Sequence, residues 1–183
     1  MDFNPVPDRI RVVSDTNQNL RINPTNGLVI TDGDLNPGTP DIVAAAYLNS
    51  FAGTTGTTLY VLDAANDVLA IQNPPNNGTL STVGVNLGID IGTSTGFDIL
   101  TTTSPATVNT AFALAAASGT TALYSINLTT GTATLVGTLG SGATAVTGLA
   151  IAPPAAVNFS VSSSTVDEDA GTATITVTRT GNT

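Results

Sequence analysis

The sequence predicts an all-β fold built from propeller-like repeats of short antiparallel strands, and three observations support this prediction. Helical periodicity is almost absent, whereas threonine, valine, glycine and asparagine recur in short alternating runs between turn residues. Three segments, each an apolar strand followed by a polar turn, align with one another. Two of these turns lie about 40 residues apart, the spacing of a four-stranded propeller blade. We therefore predict about three blades and one further strand.

The aligned segments are "NLRINPTNG", "LYVLDAAND" and "LYSINLTTG". Asn23, Asp63 and Asn127 begin the three turns, and their side chains suit hydrogen bonds to the backbone amide two residues further on. Gly27 and Gly131 supply the positive φ that such turns require. This pattern predicts hairpins and no catalytic chemistry.

Further strands are predicted before each hairpin. The alanine-rich runs 42–47 and 111–117 are expected to be buried strands, although alanine favours helices, because Gly-Thr turns flank them. Irregular spacing predicts an insertion or a broken strand at residues 84–100. Six such strands are predicted, at residues 2–4, 10–13, 44–48, 96–100, 111–115 and 148–153, and the last of them is the extra one.

The stretch "DFNPVPDRIRVVSDTNQNLRINPTNG", with "AAAYLNSFAGTTGTTLYVLD" and "IQNPPNNGTLSTVG" after it, resembles a bacterial family called domain of unknown function 4394. The resemblance covers about residues 2–152. It implies a propeller-like repeat of large secreted or surface proteins, with no activity attached. It also implies more repeat sequence ahead of Asp2, so we expect the chain to begin partway into the domain. Three blades are too few to close a propeller, and an open row of blades predicts a missing partner. Either the chain is a fragment of a longer one, or another copy covers the exposed face, or the fold is a smaller sandwich or barrel.

The segment "VNFSVSSSTVDEDAGTATITVTRTGNT" resembles the opening hairpin of a Calx-beta domain, which implies an immunoglobulin-like sandwich. In calcium-binding members of that family a glutamate is a ligand, and its position maps onto Glu168. Asp167 and Asp169 flank it. Calcium takes six to eight oxygens, so these three acids give part of a site at most, and a solvated acidic turn is the alternative.

The domain boundaries follow from composition. Residues 1–152 are predicted to form the propeller-like domain, incomplete at its N-terminal side, 153–156 a Pro/Ala linker, and 157–183 the partial Calx-beta-like hairpin. A lone hairpin is marginally stable in water, so we expect its second strand to find a partner, including by strand addition to a neighbouring subunit. The predicted assembly residues are Thr172, Thr174, Thr176 and Thr178.

Three other clusters suggest sites. Asp32, Asp34 and Asn36 match the first spacings of a calcium loop, but a proline stands where that loop needs glycine, and a plain turn is the alternative. Asp90 and Asp98 are a candidate carboxylate pair for glycoside hydrolysis or, alternatively, strand-end aspartates.

Arginines form the last cluster. Arg9 and Arg11 share one face of a predicted strand, and Arg21 lies on a nearby hairpin. Together they are candidates to hold a carboxylate or sulfate, and ion pairs with Asp8 or Asp15 are the simpler alternative.

Composition excludes several functions. The chain has no histidine, cysteine or lysine, which removes Ser-His-Asp and Cys-His nucleophiles, the usual zinc sites and Schiff-base chemistry. Four arginines and a net charge of -9 do not suit nucleic acid, and no apolar run is long enough for membrane insertion.

We therefore predict a non-catalytic structural or adhesive module that is extracellular or at the cell surface. It is expected to have no cofactor other than calcium, and to form a homo-oligomer or polymer or to join other domains of a longer chain. A carbohydrate- or calcium-binding module is the alternative, and an aspartate-dependent glycoside hydrolase is a distant one.

Overall fold

The computed structural model describes residues 1–103, 107–143, 146–152, 156–159 and 176–180. The chain divides into two compact units, Met1–Ile151 and Ala152–Thr183. The fold is all-β, and the described residues contain one short 3-10 turn, Pro75–Asn77. None of the described residues belongs to a helix that is long and apolar enough to cross a membrane.

The first unit contains three four-stranded antiparallel sheets, each a meander in which successive strands are neighbours. Each sheet thus has the architecture that the sequence predicts for one repeat. Sheet 1 comprises β1 (Asp2–Asn4), β2 (Arg9–Val13), β3 (Asn19–Ile22) and β4 (Val29–Thr31). Sheet 2 comprises β5 (Ile42–Tyr47), β6 (Leu59–Asp63), β7 (Val68–Gln72) and β8 (Leu80–Thr82). Sheet 3 comprises β9 (Thr95–Thr102), β10 (Val108–Ala117), β11 (Thr120–Ile126) and β12 (Ala133–Thr138).

Sheet 2 is buried on both faces, and all five residues of β6 are buried. Alternate residues of its strands belong to two different cores, because successive side chains of a strand point to opposite faces. Leu62 and Leu69 belong to the core that sheet 2 shares with sheet 3. Val61 and Ala70 belong to a second core, and Val13 of sheet 1 packs against that core. Sheet 2 therefore lies between sheets 1 and 3.

The two alanine-rich runs are strands, β5 and β10, as predicted. Alanine is small, so alternate alanines of both strands fit into the core between sheets 2 and 3. Tertiary packing outweighs alanine's helix propensity here.

The aligned turns are confirmed in detail. The side chains of Asn23, Asp63 and Asn127 each accept a hydrogen bond from the backbone N–H two residues on, at 3.0, 3.0 and 2.8 Å. The residues four positions later all have positive φ, with glycine in two turns and Asp67 in the third. One local turn chemistry therefore repeats in all three sheets.

The predicted alignment of the whole repeats is wrong by one strand in sheet 2. The turn joins the third and fourth strands of sheets 1 and 3, whereas in sheet 2 it joins the second and third, β6 and β7. Sheet 2 gains β8 as an additional outer strand and has no strand before β5. The alignment located the turns correctly because they are local, but it did not fix how many strands flank them.

The predicted extra strand at residues 148–153 is not seen over 148–152, which form no strand. This segment nevertheless runs against β9. The N–H of Ile151 donates to Asp98 Oδ2 at 2.6 Å, and a Cβ added to Gly96 would overlap the backbone of Gly148 and Leu149. The segment is thus packed on sheet 3 without joining its ladder.

The second unit contains one described sheet of two antiparallel strands, β13 (Ala156–Phe159) and β14 (Val177–Thr180). Val157 is opposite Arg179 and Phe159 is opposite Val177. The described part of the predicted tail strand therefore has a β partner within its own unit.

Candidate binding site

The arginines lie on the face of sheet 1 that meets sheet 2. Arg11 and Arg21 are directly opposite one another on β2 and β3, so their side chains share a face. Arg11 donates to side chains of sheet 2 and of its turn, which shows where this face points. Ile10 and Ile22, the next pair along the same strands, consequently point away from sheet 2.

Arg11 is only 2% exposed, and most of the N–H donors of its guanidinium group form hydrogen bonds to acceptors within the protein. Nη1 donates to Asn19 Oδ1 at 2.6 Å and to Asp32 Oδ2 at 2.7 Å. Nη2 donates to Asn76 Oδ1 at 2.7 Å, and Nε contacts the Tyr47 hydroxyl at 3.5 Å. A buried guanidinium is tolerated only with a carboxylate and hydrogen-bond acceptors of this kind.

Asp32 holds both arginines. Arg21 binds its carboxylate through two parallel hydrogen bonds, from Nε at 2.6 Å and Nη2 at 2.8 Å, and Arg11 adds a third. Burial raises the pKa of the Asp32 carboxyl, but the hydrogen bonds and charges of Arg21 and Arg11 outweigh it and hold that pKa below its usual value. Asp32 therefore remains an anion between two cations.

Amide side chains connect this group to the edge of sheet 2. Asn19 is fully buried, and its Nδ2 donates to the carbonyls of Gly33 and Pro75, both at 2.9 Å. Gln72 Nε2 donates to Asn19 Oδ1 and to the Pro75 carbonyl. The polar network thus joins sheet 1 to the turn that follows β7.

A cavity of about 210 Å³ opens beside this network. Three of the four arginines of the chain line it, because Arg9 joins Arg11 and Arg21 at its wall. Arg9 Nη1 donates to the carbonyls of Asp8, at 2.7 Å, and Pro7, at 3.2 Å. The other lining residues are Asn4, Pro7, Tyr47, Pro75 and Asn76.

The predicted partners of the arginines are not the ones found. Neither Asp8 nor Asp15 forms an ion pair within the described residues, and the carboxylate that Arg11 and Arg21 share belongs to Asp32. Asp32 comes directly after the exposed strand β4, and its carboxylate lies at the interface between sheets 1 and 2, where it pairs with Arg11. The clustering of the three arginines themselves was predicted correctly.

In the predicted calcium loop, Asp32 and Asn36 both have contacts within the fold. Asp32 faces two guanidinium groups, whose charges repel a cation. Asn36 Nδ2 donates to the carbonyls of Asp34 and Asn77, both at 2.8 Å, so this side chain fastens the loop to sheet 2. The geometry gives these residues structural contacts.

A second cavity, of about 380 Å³, lies between β5, β9 and residues 147–150, with Asp2 and Asp98 in its wall. Both carboxylates bind backbone amides. Asp2 accepts from the N–H of Tyr47 at 2.6 Å and Asp98 from that of Ile151, also at 2.6 Å. Asp90 is exposed on the loop before β9 and does not line this cavity. The carboxylate pair proposed for hydrolysis is therefore not assembled there.

The acidic tail residues Asp167, Glu168 and Asp169 lie outside the described residues, as do Thr172 and Thr174. Thr176 and Thr178 are described and exposed. The part of the chain that the structure describes contains no group of three acidic, histidine or cysteine side chains that could hold a metal ion. The calcium and assembly hypotheses for the tail stay predictions.

Several residues of the arginine site were missed from sequence. Gln72 is the one polar residue of the otherwise apolar strand β7, a sequence signal that could have revealed it, whereas Asn19 begins β3, which also contains Arg21. Asn76 carries no such signal, because it lies in a turn that is brought to Arg11 only by tertiary packing.

The paired carboxylate predicts a dependence of stability on pH. A depressed carboxyl pKa stabilises the fold above the ordinary value of about 3.9, and this contribution is lost as the pH falls through the lower folded value. We expect the free energy of unfolding to decrease as the pH is lowered from about 4, and to decrease less steeply in Asp32→Asn than in the wild type. Urea unfolding at a series of pH values measures this, with Asp15→Asn as the control that keeps the wild-type slope.

Three antiparallel meanders, with a polar, arginine-lined cavity between two of them, define an all-β repeat domain. The chain belongs to the family described as Domain of unknown function (DUF4394), whose model matches residues 1–150. No curated protein and no solved structure matches the chain.

Proposed function

We propose that the protein is a non-catalytic structural module that self-assembles through the outer surfaces of its row of sheets. The observation that carries this proposal is the face of sheet 1 that points away from sheet 2. Thr31 is the one polar side chain on this face, and the other six are apolar and not fully buried. We call these residues the end face: Phe3, Ile10, Val12, Leu20, Ile22 and Val29.

The register defines the end face. Phe3, Ile10, Ile22 and Val29 lie directly opposite one another across the four strands, and so they form one row on one side of the sheet. Val29 is 50% exposed. Contiguous apolar surface of this kind is typical of an interaction site.

The partner that fits best is a second copy of the chain. Sheet 3 also has a face that points away from sheet 2. Residues 148–151 pack over Gly96 and Asp98 on this face, and Leu100, Phe112 and Leu123 on it are only partly buried. If this face docked on the end face of another copy, sheet 1 of that copy would follow sheet 3 of the first copy, just as sheet 2 follows sheet 1 within one chain. The row of sheets would then continue from copy to copy. Such a contact is head-to-tail, and it gives rings or filaments.

The outer strands support strand pairing as an additional contact. Exposed edge strands are usually protected by charge or proline. β4 and β12 contain neither, and Leu28, Ile30, Leu135 and Val136 on or beside them are exposed. Pairing between such edges is the mechanism that we predict from the sequence for the tail strand as well.

We place the module outside the cell or at its surface. The acidic, sparsely charged, threonine-rich composition favours this location, and the resemblance of residues 157–183 to Calx-beta domains of adhesins agrees with it. An adhesive role for the assembled module follows from the same arguments.

Sedimentation velocity over a range of concentrations tests self-assembly. The wild type is expected to associate, and Val29→Lys to weaken association by about 100-fold or more, because the interface would bury an unpaired ammonium group. Val85→Lys makes the same change on a loop residue that is 83% exposed and should associate as the wild type does. A monomeric wild type at all concentrations, or equal association of the two variants, would contradict the proposal.

A further inference from the structure

We propose that the cavity lined by Arg9, Arg11 and Arg21 binds a small oxyanion, a carboxylate or a sulfate group. The inference is independent of self-assembly, because the cavity lies between sheets 1 and 2 and not on the end face.

The charges around the cavity are not balanced. Three guanidinium groups line it, and Asp32 is the one carboxylate that the described residues pair with them. An excess of two positive charges therefore surrounds this space in a chain whose net charge is -9. Arg11 is almost completely buried, so water screens part of this charge poorly. An anion in the cavity would offset it.

The wall offers hydrogen-bond donors rather than acceptors. Arg9 Nε and Nη2 and Arg21 Nη1 form no hydrogen bond within the described residues. Asn76 and Tyr47 already accept hydrogen bonds from Arg11 through their oxygens, which leaves the amide and hydroxyl hydrogens for a ligand. Guanidinium groups bind carboxylates and sulfate-like anions through paired N–H donors, so the donor set matches this ligand class.

The size of the cavity limits what enters. A volume of about 210 Å³ is smaller than the roughly 300–1,000 Å³ of pockets that enclose whole drug-sized ligands. It suits one small anionic group with some water. The group is either a free anion or the acidic substituent of a larger molecule that remains outside.

The small number of arginines gives a direct test. The chain has four, so the Nε–H region of a ¹H–¹⁵N spectrum contains four signals. Titration with sodium sulfate is expected to shift the signals of Arg9 and Arg21 but not that of Arg179, and sodium chloride at equal ionic strength is expected to shift none. Equal shifts with chloride, or no response of Arg9 and Arg21, would overturn the proposal.

Matched variants test the assignment of the site. Arg9→Gln should weaken sulfate binding by about tenfold, because it removes charged donors while leaving the Arg11–Asp32–Arg21 group intact. Arg179→Gln removes the same charge in the second unit and should bind sulfate as the wild type does. Wild-type affinity in Arg9→Gln would overturn the assignment, and both variants are compared with the wild type by thermal unfolding.

Acetate, glucuronate and glucose distinguish the two sources of the anion. Tighter binding of glucuronate than of acetate identifies the acidic group of a larger sugar, and equal binding identifies a free anion. Both results support an oxyanion site. Binding of glucose equal to that of glucuronate would overturn it, because a neutral sugar carries no oxyanion.

Discussion

Replacing Asp32 by asparagine is expected to lower the free energy of unfolding of the first unit by about 3–5 kcal/mol, the cost of removing one partner from a buried ion pair. The substitution leaves Arg11, whose side chain is 2% exposed, without a carboxylate. It also removes the paired hydrogen bonds of Arg21. Chemical denaturation measures the loss, and Asp15→Asn, which alters an exposed aspartate, should change the free energy by no more than about 0.5 kcal/mol.

A double-mutant cycle separates the charge from other effects of the Asp32 substitution. Arg11→Met removes the buried cation, so Asp32→Asn should cost less in that background than in the wild type. Equal costs in both backgrounds, or a loss below about 1 kcal/mol in the single variant, would show that Asp32 does not stabilise Arg11.

Leu62→Ala is the second substitution with a large expected effect. Leu62 is fully buried in the core between sheets 2 and 3, on a strand that is covered on both faces. Truncation should lower the free energy of unfolding by about 2–5 kcal/mol, since it combines lost burial with a cavity.

Leu135→Ala is the matched control for this substitution. Leu135 lies on the outer strand of sheet 3 and is 60% exposed, so its truncation should change stability by less than about 0.5 kcal/mol. Urea denaturation of both variants gives the comparison. Similar losses in the two would mean that sheet 2 does not hold the main core.

The turns could be predicted from the sequence because their chemistry is local. Asn23 and Asn127 bond amides two residues away, and a glycine four residues on supplies the positive φ. Nothing outside a few residues takes part. The strands beside the turns followed from alternation in the same way, and alanine-rich β5 and β10 followed from the Gly-Thr turns that flank them.

The position of each hairpin within its sheet could not be predicted in this way. β6 and β7 have the same turn chemistry as β3 and β4, but they are the second and third strands of their sheet. The difference depends on β8, a strand of three residues beyond the 3-10 turn. So short a strand has little periodicity of its own, and it forms because Gln72 and Ala70 of β7 lie beside it.

The arginine site likewise has one feature that the sequence predicts and others that depend on tertiary packing. The shared face of Arg9 and Arg11 follows from strand alternation, whereas their partners depend on long-range packing. Asp32 is 21 residues from Arg11 in sequence and Asn76 is 65 residues away. Two nearer aspartates, Asp8 and Asp15, were therefore the simpler expectation, and only the packing of sheet 1 on sheet 2 distinguishes Asp32 from them.

Cross-linking between single-cysteine variants tests the head-to-tail contact most directly, because the natural chain contains no cysteine. Val29→Cys marks the end face of sheet 1, and Leu100→Cys marks the outward face of sheet 3. A mixture of the two, treated with a short bismaleimide, is expected to give a cross-linked heterodimer, while a mixture of Val85→Cys and Leu100→Cys gives none. Absence of the heterodimer at concentrations where the wild type associates, or equal yields in the two mixtures, would contradict the contact.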